Sequence, residues 1–296
     1  MKGIYRQVYF IVAWLFSKTV LLLPYRICVK IGSFLGLLGY YAAGSARRTA
    51  LEGIRKAFPE KTAAEASTIV KEVFVNQGKN IFELFSFPKM SKQDISAKVK
   101  IYGGDNFKKA FEAGKGVLIA SAHCGNWEIM GAALACAGFP INVIARRIYI
   151  EGLNSMLVGL RVSKGVKVIL RSGQESAKEI LRSLRHNEAI GILIDQDTKV
   201  PGVFVDFFGR KAWTPSGLAT LSVRTGAKVV LALDVRNSDD SHEVVLTGPF
   251  DFNLTGDNDK DVVTVTQLIT AKTEEHIRKY PSQWVWMHER WKTVQI

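Results

Sequence analysis

The chain has 296 residues, of which 47% are hydrophobic and 23% are charged. This length and composition suffice for a globular protein with a sizeable core, and they exclude an intrinsically disordered chain. Lysine and arginine outnumber aspartate and glutamate by 40 to 27, which gives a formal net charge of +13. Such an excess predicts an anionic partner, which could be nucleic acid, anionic lipid headgroups or an acidic protein.

The cysteines and histidines exclude several common kinds of site. Cys28, Cys124 and Cys136 are odd in number and form no CxxC pair, so neither a disulfide scaffold nor a cysteine-rich zinc site is expected. A reducing compartment is the simpler interpretation. The sequence has no G-x-S-x-G elbow, and His288-Glu289 lacks the second histidine of a zincin helix.

The N-terminal region combines apolar stretches with basic side chains. The apolar stretches are residues 8–16, 20–24 and 31–43. None reaches the roughly 20 apolar residues of a spanning helix, and no signal-peptide cleavage site follows them. Seven cationic residues and no acidic residue precede Glu52. We therefore expect residues 1–45 to associate with a membrane, as a short or tilted anchor or as a helical hairpin in the interface. A buried helix pair of a soluble protein is the alternative.

Short β-branched runs alternate with segments of helical periodicity in the rest of the chain. The predicted strands are residues 117–120, 141–145, 166–170, 189–194 and 229–233. Two capping boxes predict helix starts, one formed by Thr62 and Glu65 and one by Ser172 and Glu175. This alternation indicates an α/β fold with a central, largely parallel or mixed sheet flanked by helices. We assign residues 46–296 to one catalytic domain.

A histidine and a glutamate follow the first of these predicted strands. Functional sites of open α/β sheets form at the carboxyl ends of strands, where this chain has His123 and, five residues later, Glu128. The two side chains can meet only if His123 lies on a strand-to-helix turn, which Gly125 permits, and Glu128 lies in the first helical turn. Glu128 would then accept a hydrogen bond from one ring nitrogen while the other takes a proton from a substrate hydroxyl. The structural alternative is a capping histidine and a glutamate that favours the helix dipole.

Several further blocks accompany this H-x4-E motif in a fixed order. They are AFPE at 57–60, GILIDQD at 191–197, VDFFG at 205–209, WTPSG at 213–217 and YPSQWVWMHERW at 280–291. With these blocks the chain resembles the bacterial lipid A biosynthesis acyltransferases, the late lauroyl and myristoyl acyltransferases of the lysophospholipid acyltransferase superfamily. The resemblance extends from about residue 10 to the C-terminus. It implies a glycerolipid acyltransferase-like fold at the cytoplasmic face of the bacterial inner membrane.

The resemblance also implies a reaction. Enzymes of this family are O-acyltransferases of the EC 2.3.1 type that move a fatty acyl group from acyl carrier protein to a hydroxyl of a phosphorylated lipid A precursor. By this resemblance His123 is the general base, and Glu128 orients it and stabilises the imidazolium. No metal, cofactor or covalent enzyme intermediate is required. Backbone N–H groups at the helix start after His123 are expected to face the developing oxyanion.

Other charged residues are expected to bind substrate. They are Arg146, Arg147, Arg161, Arg171, Asp195 and Asp197. Arg146 and Arg147 resemble the family's basic block for phosphate or for the carrier's phosphopantetheine arm, with a solvated turn as the alternative. Asp195 and Asp197 could hold Mg²⁺ at a strand end. The resemblance favours instead a part of the acceptor pocket, with Asp197 near the headgroup, and a purely structural turn remains open.

The expected partners are acyl carrier protein, an anionic lipid acceptor and the membrane. Nucleic acid is not expected, because no recognition motif is present and the basic residues lie among apolar ones. Another glycolipid, such as a phosphatidylinositol mannoside, or a lysophospholipid is the main alternative acceptor. A non-catalytic lipid-binding protein and a metal-dependent phosphohydrolase acting through Asp195 and Asp197 are the rival functions.

Overall fold

The computed structural model describes residues 2–171 and 173–295, with side chains from residue 5 onward. The predicted capping residue Ser172 therefore lies outside the described residues. The helices are α1 (Lys2–Leu22), α2 (Tyr25–Ala42), α3 (Gly44–Ala57), α4 (Ala63–Ser86), α5 (Lys92–Lys98), α6 (Gly104–Glu112), α7 (Trp127–Cys136), α8 (Glu151–Val162), α9 (Gln174–Arg185), α10 (Gly217–Thr225) and α11 (Asn258–Lys279). The strands are β1 (Val99–Tyr102), β2 (Val117–Ser121), β3 (Ile141–Ala145), β4 (Lys167–Leu170), β5 (Ala189–Leu193), β6 (Gly202–Phe207), β7 (Arg210–Pro215), β8 (Lys228–Arg236) and β9 (His242–Phe250).

A seven-stranded sheet in the order β1-β9-β8-β2-β5-β3-β4 forms the centre of the molecule. All its pairings are parallel except that between β8 and β9. This architecture confirms the predicted α/β fold with a largely parallel or mixed sheet, and all five predicted strands are present. β1 and β9 and the separate β6–β7 hairpin were not predicted. β1 has only four residues, and charged side chains break the apolar pattern of the hairpin.

β2 is the central strand, and its five residues are all buried. Because successive side chains point to opposite faces of a sheet, Leu118 and Ala120 pack into one core cluster while Val117 and Ile119 pack into the other. Helices cover both clusters, which explains why the strand is apolar throughout rather than alternating.

The sheet opens between β3 and β5 at its carboxyl edge. These strands are paired only from Ile141 to Val143. Beyond that point β5 remains paired with β2 as far as Leu193, and β3 remains paired with β4 as far as Ala145. The two halves of the sheet therefore diverge, which leaves a gap at the edge where functional sites of such sheets form.

The N-terminal helices differ in how they contact the rest of the molecule. α2 packs so closely on α4 that a Cβ at Gly36 would lie 2.3 Å from the backbone oxygen of Phe74. The predicted capping box of Thr62 and Glu65 begins α4, as expected. α1 in contrast leaves most of its apolar side chains exposed. Within the described residues no single helix is long and apolar enough to cross a membrane, although α2 and α3 together, with an 89° bend, meet that criterion by length and composition.

Candidate active site

His123 and Glu128 lie on the predicted strand-to-helix turn. His123 follows β2, and Glu128 is in the first turn of α7. Gly125 has a φ of +55°, and a Cβ there would lie 2.3 Å from Asp234 Oδ2. Only glycine fits this backbone and this close approach, so the turn depends on Gly125 as predicted.

The carboxylate partner of His123 is Asp195, not Glu128. His123 Nδ1 lies 2.9 Å from Asp195 Oδ1, and the backbone N–H of His123 donates to Asp195 Oδ2 over 2.8 Å. Trp284 Nε1 donates to the same Oδ2 over 2.7 Å. The prediction that Glu128 orients the ring is therefore wrong. The reason is strand register: Ser121 of β2 pairs with Leu193 of β5, so residues 123 and 195 emerge side by side.

Glu128 forms an ion pair with Arg161 instead. Arg161 Nε donates to Glu128 Oε2 over 2.8 Å, and Nη2 donates to Oε1 over 2.6 Å. This bidentate geometry is the strong form of an arginine–carboxylate pair, and both side chains are largely buried. Glu128 still influences His123 through space, because its charge contributes to raising the pKa of the imidazole.

The protonation of the His123–Asp195 pair follows from its surroundings. Burial raises the pKa of Asp195, but the charge and hydrogen bonds of His123, together with Trp284, lower it to about 2. Burial lowers the pKa of His123, but Asp195 opposes this and brings the pKa above its ordinary value of 6.5. An ionised carboxylate only accepts hydrogen bonds, so Nδ1 of the neutral ring donates to Asp195 and Nε2 is left as the acceptor.

Backbone N–H groups of the turn donate hydrogen bonds to other residues of the protein. The N–H of Gly125 donates to the Gln283 carbonyl oxygen over 2.8 Å, and the N–H of Asn126 donates to Asp234 Oδ2 over 2.6 Å. In the first turn of α7, the N–H groups of Glu128 and Ile129 donate to Asn126 Oδ1. These four N–H groups are therefore unavailable to an oxyanion in this structure, which removes most of the donors expected from the sequence at this helix start.

The C-terminal block fixes the turn from the other side. The N–H of Val285 donates to the His123 carbonyl oxygen over 3.1 Å, and Cys124 and Trp284 form an antiparallel bridge. Trp284 thereby reaches Asp195. Burial, with the charges of Asp195 and Asp234, raises the pKa of the Cys124 thiol well above its usual range, as fits a core residue rather than a nucleophile.

A buried charge cluster lies beneath the turn. It consists of Glu83, Asp234, Arg236 and His242. Arg236 Nη2 donates to Glu83 Oε2 over 2.5 Å, and His242 Nδ1 lies 2.9 Å from Asp234 Oδ2. Burial lowers the pKa of His242, but Asp234 and Glu83 raise it to about 9. This cluster was not predicted from the sequence. Its signal in the sequence is the presence of charged residues within otherwise apolar helices and strands.

A cavity of about 1000 Å³ adjoins the pair and extends into the gap between β3 and β5. His123, Glu128, Arg146, Arg161 and Arg171 are among its lining residues, and most of the others are apolar. The cavity thus brings together the predicted general base His123 and three of the predicted substrate-binding arginines. Among the described residues, the Arg146 and Arg171 guanidinium groups have no carboxylate partner.

The other three predicted substrate-binding residues do not line the cavity. Asp195 is the carboxylate partner of His123 rather than a residue of the acceptor pocket. Arg147 forms an exposed ion pair with Glu151 over 2.7 Å and does not line the cavity. Asp197 is buried, and its carboxylate accepts hydrogen bonds from the backbone N–H and the hydroxyl of Thr293. Asp197 therefore anchors the C-terminal segment, instead of lying near a lipid headgroup as expected.

The carboxylates of the DQD segment also do not converge on a common point. Asp195 is occupied by His123 and Trp284, and Asp197 by Thr293. The described residues contain no group of three or more His, Cys, Asp or Glu side chains placed to hold a metal ion. This arrangement gives the phosphohydrolase alternative no pair of free carboxylates.

Known proteins similar to this chain include acyltransferases of two kinds. The "Phosphatidylinositol mannoside acyltransferase" of Mycolicibacterium smegmatis is 28% identical over 211 residues, which cover 71% of this chain and 67% of that protein. The protein of the same name from Mycobacterium tuberculosis is 28% identical over 216 residues, 71% of this chain and 66% of that protein. The "Lipid A biosynthesis palmitoleoyltransferase" of Escherichia coli is 23% identical over 287 residues, 96% of this chain and 90% of that protein.

The match to a protein family covers nearly the whole chain. The family model described as bacterial lipid A biosynthesis acyltransferase matches residues 4–293. This span includes the strand-to-helix turn, the segment that follows β5 and the C-terminal block that contacts both. On this basis the chain belongs to the bacterial lipid A biosynthesis acyltransferase family.

Proposed function

We propose that this acyltransferase moves a fatty acyl chain from acyl carrier protein to a hydroxyl of a phosphorylated glycolipid, with His123 as the general base. The observation that carries the proposal is the His123–Asp195 pair beside a largely apolar cavity. Such a cavity suits a hydrocarbon chain, and the free Nε2 suits a hydroxyl proton. A phosphorylated lipid A precursor is our first choice of acceptor, and another glycolipid of the phosphatidylinositol mannoside type is the alternative.

The residues act as follows in the proposed reaction. Nε2 of His123 takes the proton of the acceptor hydroxyl while the oxygen attacks the thioester carbonyl. The C–O bond forms, the C–S bond breaks, and the proton passes from the imidazolium to the departing thiolate. Asp195 keeps Nδ1 protonated and stabilises the imidazolium through charge and a 2.9 Å hydrogen bond. A positioned base of this kind contributes about 10²- to 10⁴-fold to the rate.

The Glu128–Arg161 pair serves substrate binding in this proposal. Arg161 uses Nε and Nη2 for Glu128, which leaves Nη1 as a donor on a side chain that lines the cavity. Glu128 therefore orients the guanidinium rather than the imidazole. Because four backbone N–H groups of the turn already have acceptors within the protein, Arg161 is the donor we propose for substrate oxygens beside His123.

Arg146 and Arg171 are proposed ligands of the acceptor phosphate. They follow Ala145 and Leu170, which are paired at the carboxyl ends of β3 and β4, so the two guanidinium groups start from neighbouring strand ends. Planar guanidinium groups bind phosphate by paired hydrogen bonds. The names of the relatives from mycobacteria and Escherichia coli refer to phosphatidylinositol mannoside and to lipid A. Both are glycolipids, which supports an acceptor of this class.

We further propose that α1 lies in the cytoplasmic interface of the inner membrane. Its exposed apolar side chains include Tyr9, Val12, Trp14 and Leu15, and the chain before Glu52 carries only positive charge. Apolar side chains that enter the acyl boundary and cations that contact anionic headgroups are the features of interfacial helices. This position would deliver a lipid acceptor to a site that acyl carrier protein reaches from the cytoplasm.

The first experiment is a transfer assay in detergent. Purified protein, lauroyl or myristoyl acyl carrier protein and either a lipid A precursor or a phosphatidylinositol mannoside are combined, and mass spectrometry reads the lipid. We expect one added acyl group that is lost in His123→Ala and unaffected by a chelator. Activity that survives in His123→Ala would contradict the general base, and chelator-sensitive release of phosphate would favour the phosphohydrolase.

A further inference from the structure

One tryptophan side chain lies directly against the imidazole of His123. Trp127 begins α7, and its ring centroid is 4.8 Å from that of His123, with the two ring planes at 71°. This is an edge-to-face contact. Because Asp195 holds Nδ1 of His123 at 2.9 Å, the imidazole cannot turn away from the indole without losing that hydrogen bond. Trp127 therefore has a fixed place beside the proposed base.

The indole N–H of Trp127 has no hydrogen-bond acceptor among the described residues. Tryptophan N–H groups usually find an acceptor when they are buried, and those of Trp213, Trp284 and Trp286 donate to groups of the protein. The N–H of Trp291 is unpaired but enclosed by protein. The N–H of Trp127 is not enclosed, and its half-buried side chain lines the cavity. It is therefore a donor that a substrate can use.

The backbone N–H of Trp127 is also left without an acceptor. The preceding N–H, that of Asn126, donates to Asp234, and the two that follow donate to the Asn126 side chain. Within residues 2–171 and 173–295 no group accepts from the backbone N–H of Trp127. Trp127 thus keeps both of its N–H donors unpaired on a turn whose neighbouring donors are occupied.

From this arrangement we infer that Trp127 is a further catalytic residue, whose indole N–H donates to the carbonyl oxygen of the thioester. The inference rests on the proposed function. As the acceptor hydroxyl gives its proton to Nε2 of His123, its oxygen attacks the carbonyl carbon, the C–O bond forms and the carbonyl π electrons move to the carbonyl oxygen. This oxyanion accepts from the indole N–H. The electron pair then returns to carbon as the C–S bond breaks, and the thiolate takes the proton from the imidazolium.

The indole differs from Arg161 as a donor. The guanidinium of Arg161 is charged and bound to Glu128, so it attracts anionic groups of the substrate before and during the reaction. The indole N–H is neutral, and it gains more from the oxyanion than from the neutral thioester carbonyl. An interaction that strengthens in the transition state raises kcat rather than substrate affinity.

The test removes the N–H and keeps an aromatic ring beside His123. Trp127→Phe is compared with the wild type, with lauroyl acyl carrier protein as donor and the glycolipid that the wild type accepts. We expect kcat to fall about 10²- to 10³-fold, while KM for donor and acceptor stays within about threefold of the wild type. Replacement of Trp127 by benzothienylalanine, which has the shape of tryptophan without the N–H, should give the same result and serves if Trp127→Phe does not fold.

The matched control is Trp213→Phe. Trp213 is also half-buried, its ring packs edge-on against Phe204 at 5.1 Å, and its N–H donates to the Val200 carbonyl oxygen, but its side chain does not line the cavity. This variant loses the same N–H group away from His123, so its kcat and both KM values should match the wild type.

A second readout follows the indole N–H itself. In the proton–nitrogen NMR spectrum of the indole groups, the resonance missing from Trp127→Phe belongs to Trp127. We expect it to move downfield with dodecylphosphonate, whose tetrahedral anionic oxygens imitate the oxyanion, at concentrations that inhibit transfer. Dodecane, which offers the chain alone, should leave the resonance in place, and the Trp213 resonance should not respond to either compound.

Two results would overturn the inference alone. An unchanged kcat in Trp127→Phe, or a Trp127 resonance that dodecylphosphonate leaves in place, would make Trp127 a packing residue while loss of transfer in His123→Ala still supports the base. No transfer by the wild type to any glycolipid would instead contradict the proposed function and, with it, the inference.

Discussion

At the residue scale, the partner of His123 is decided by strand register. Glu128 is five positions away in sequence but forms an ion pair with Arg161. Asp195 is 72 positions away, yet its carboxylate accepts the hydrogen bond from the imidazole ring. Both His123 and Asp195 follow paired central strands by two residues. Asp195 follows β5 at the same distance as His123 follows β2, and this equal spacing was the signal for the pair. It can be recognised only once β2 and β5 are known to be neighbours.

The charge of Asp195 should be visible in the pH dependence of activity. Because the base is active when it is neutral, kcat/KM should rise with pH through the pKa of His123, which lies above 6.5. In Asp195→Asn the rising limb should move to lower pH, and kcat should fall about 10²- to 10⁴-fold as the ring loses its orientation. Asp197→Asn is the control from the same segment and should keep the limb in place. An unmoved limb in Asp195→Asn would show that this carboxylate does not set the pKa of the base.

The Glu128–Arg161 pair should act as one unit. Glu128→Gln keeps the His123–Asp195 hydrogen bond, so it should lose less activity than His123→Ala. Because the same contact is removed in Glu128→Gln and Arg161→Gln, the double variant should be less impaired than the sum of the single effects, by about 0.5–3 kcal/mol in the barrier. Steady-state kinetics of the four proteins measure this. Strictly additive effects would mean that the two side chains serve separate steps.

At the element scale, the buried cluster joins α4, β8 and β9 to the start of α7. Asn126, which caps α7, donates its side-chain N–H to Glu83 Oε2 over 2.6 Å and its backbone N–H to Asp234. The turn that carries His123 is thus held by ionised groups in the core. Buried charges of this kind are costly when one partner is removed, so the cluster couples the stability of three elements to the geometry of the site.

His242 should make stability depend on alkaline pH. Its pKa of about 9 lies above the ordinary 6.5, so its stabilising contribution is complete below pH 6.5 and is lost as pH rises through 9. The contribution is on the order of 3 kcal/mol. Denaturant unfolding between pH 6 and 10 should show this decline in the wild type, and His242→Gln should lack it. The same decline in both proteins would assign the effect to other groups.

The gap between β3 and β5 should limit the length of the transferred chain. Gly191 and Val143 both line the cavity, and a Cβ at Gly191 would lie 3.4 Å from Val143 Cγ1, so Gly191→Val should narrow the cavity between β3 and β5. We expect the preferred donor to become shorter by several carbons in a competition between lauroyl and palmitoyl acyl carrier protein. Gly159→Val, on an exposed face of α8 outside the cavity, should keep the preference of the wild type. Unchanged preference in Gly191→Val would place the chain elsewhere.

At the scale of the whole molecule, the N-terminal helices connect the catalytic sheet to an apolar surface. α2 is fixed on α4 through closely packed glycines, while α1 presents apolar side chains outward and contacts α8, where a Cβ at Gly152 would lie 2.6 Å from the Phe10 ring. α8 supplies Arg161 to the cavity. The exposed apolar surface and the site are therefore only one helix apart, which suits a lipid substrate that arrives from a bilayer.

The exposed face of α1 should determine binding to anionic vesicles. Trp14 and Leu15 are 46% and 53% exposed, so Trp14→Glu with Leu15→Glu should preserve the fold while replacing apolar contacts by negative charge. We expect sedimentation with phosphatidylglycerol vesicles to fall at least tenfold, and high salt to weaken binding of the wild type. Tyr102→Glu is the control, because Tyr102 is 47% exposed on β1. Equal binding of all proteins would show that another surface docks.

Short-range patterns in the chain were sufficient for its fold class, five of the seven strands of the sheet, the capping box of α4 and the turn at Gly125. They are set by periodicity, caps and backbone sterics within a few residues. The family resemblance supplied the chemistry. The pairing of His123 with Asp195, the gap between β3 and β5 and the cluster around Glu83 needed the folded chain. Each depends on which distant segments become neighbours, and strand order and register, rather than local pattern, decide that.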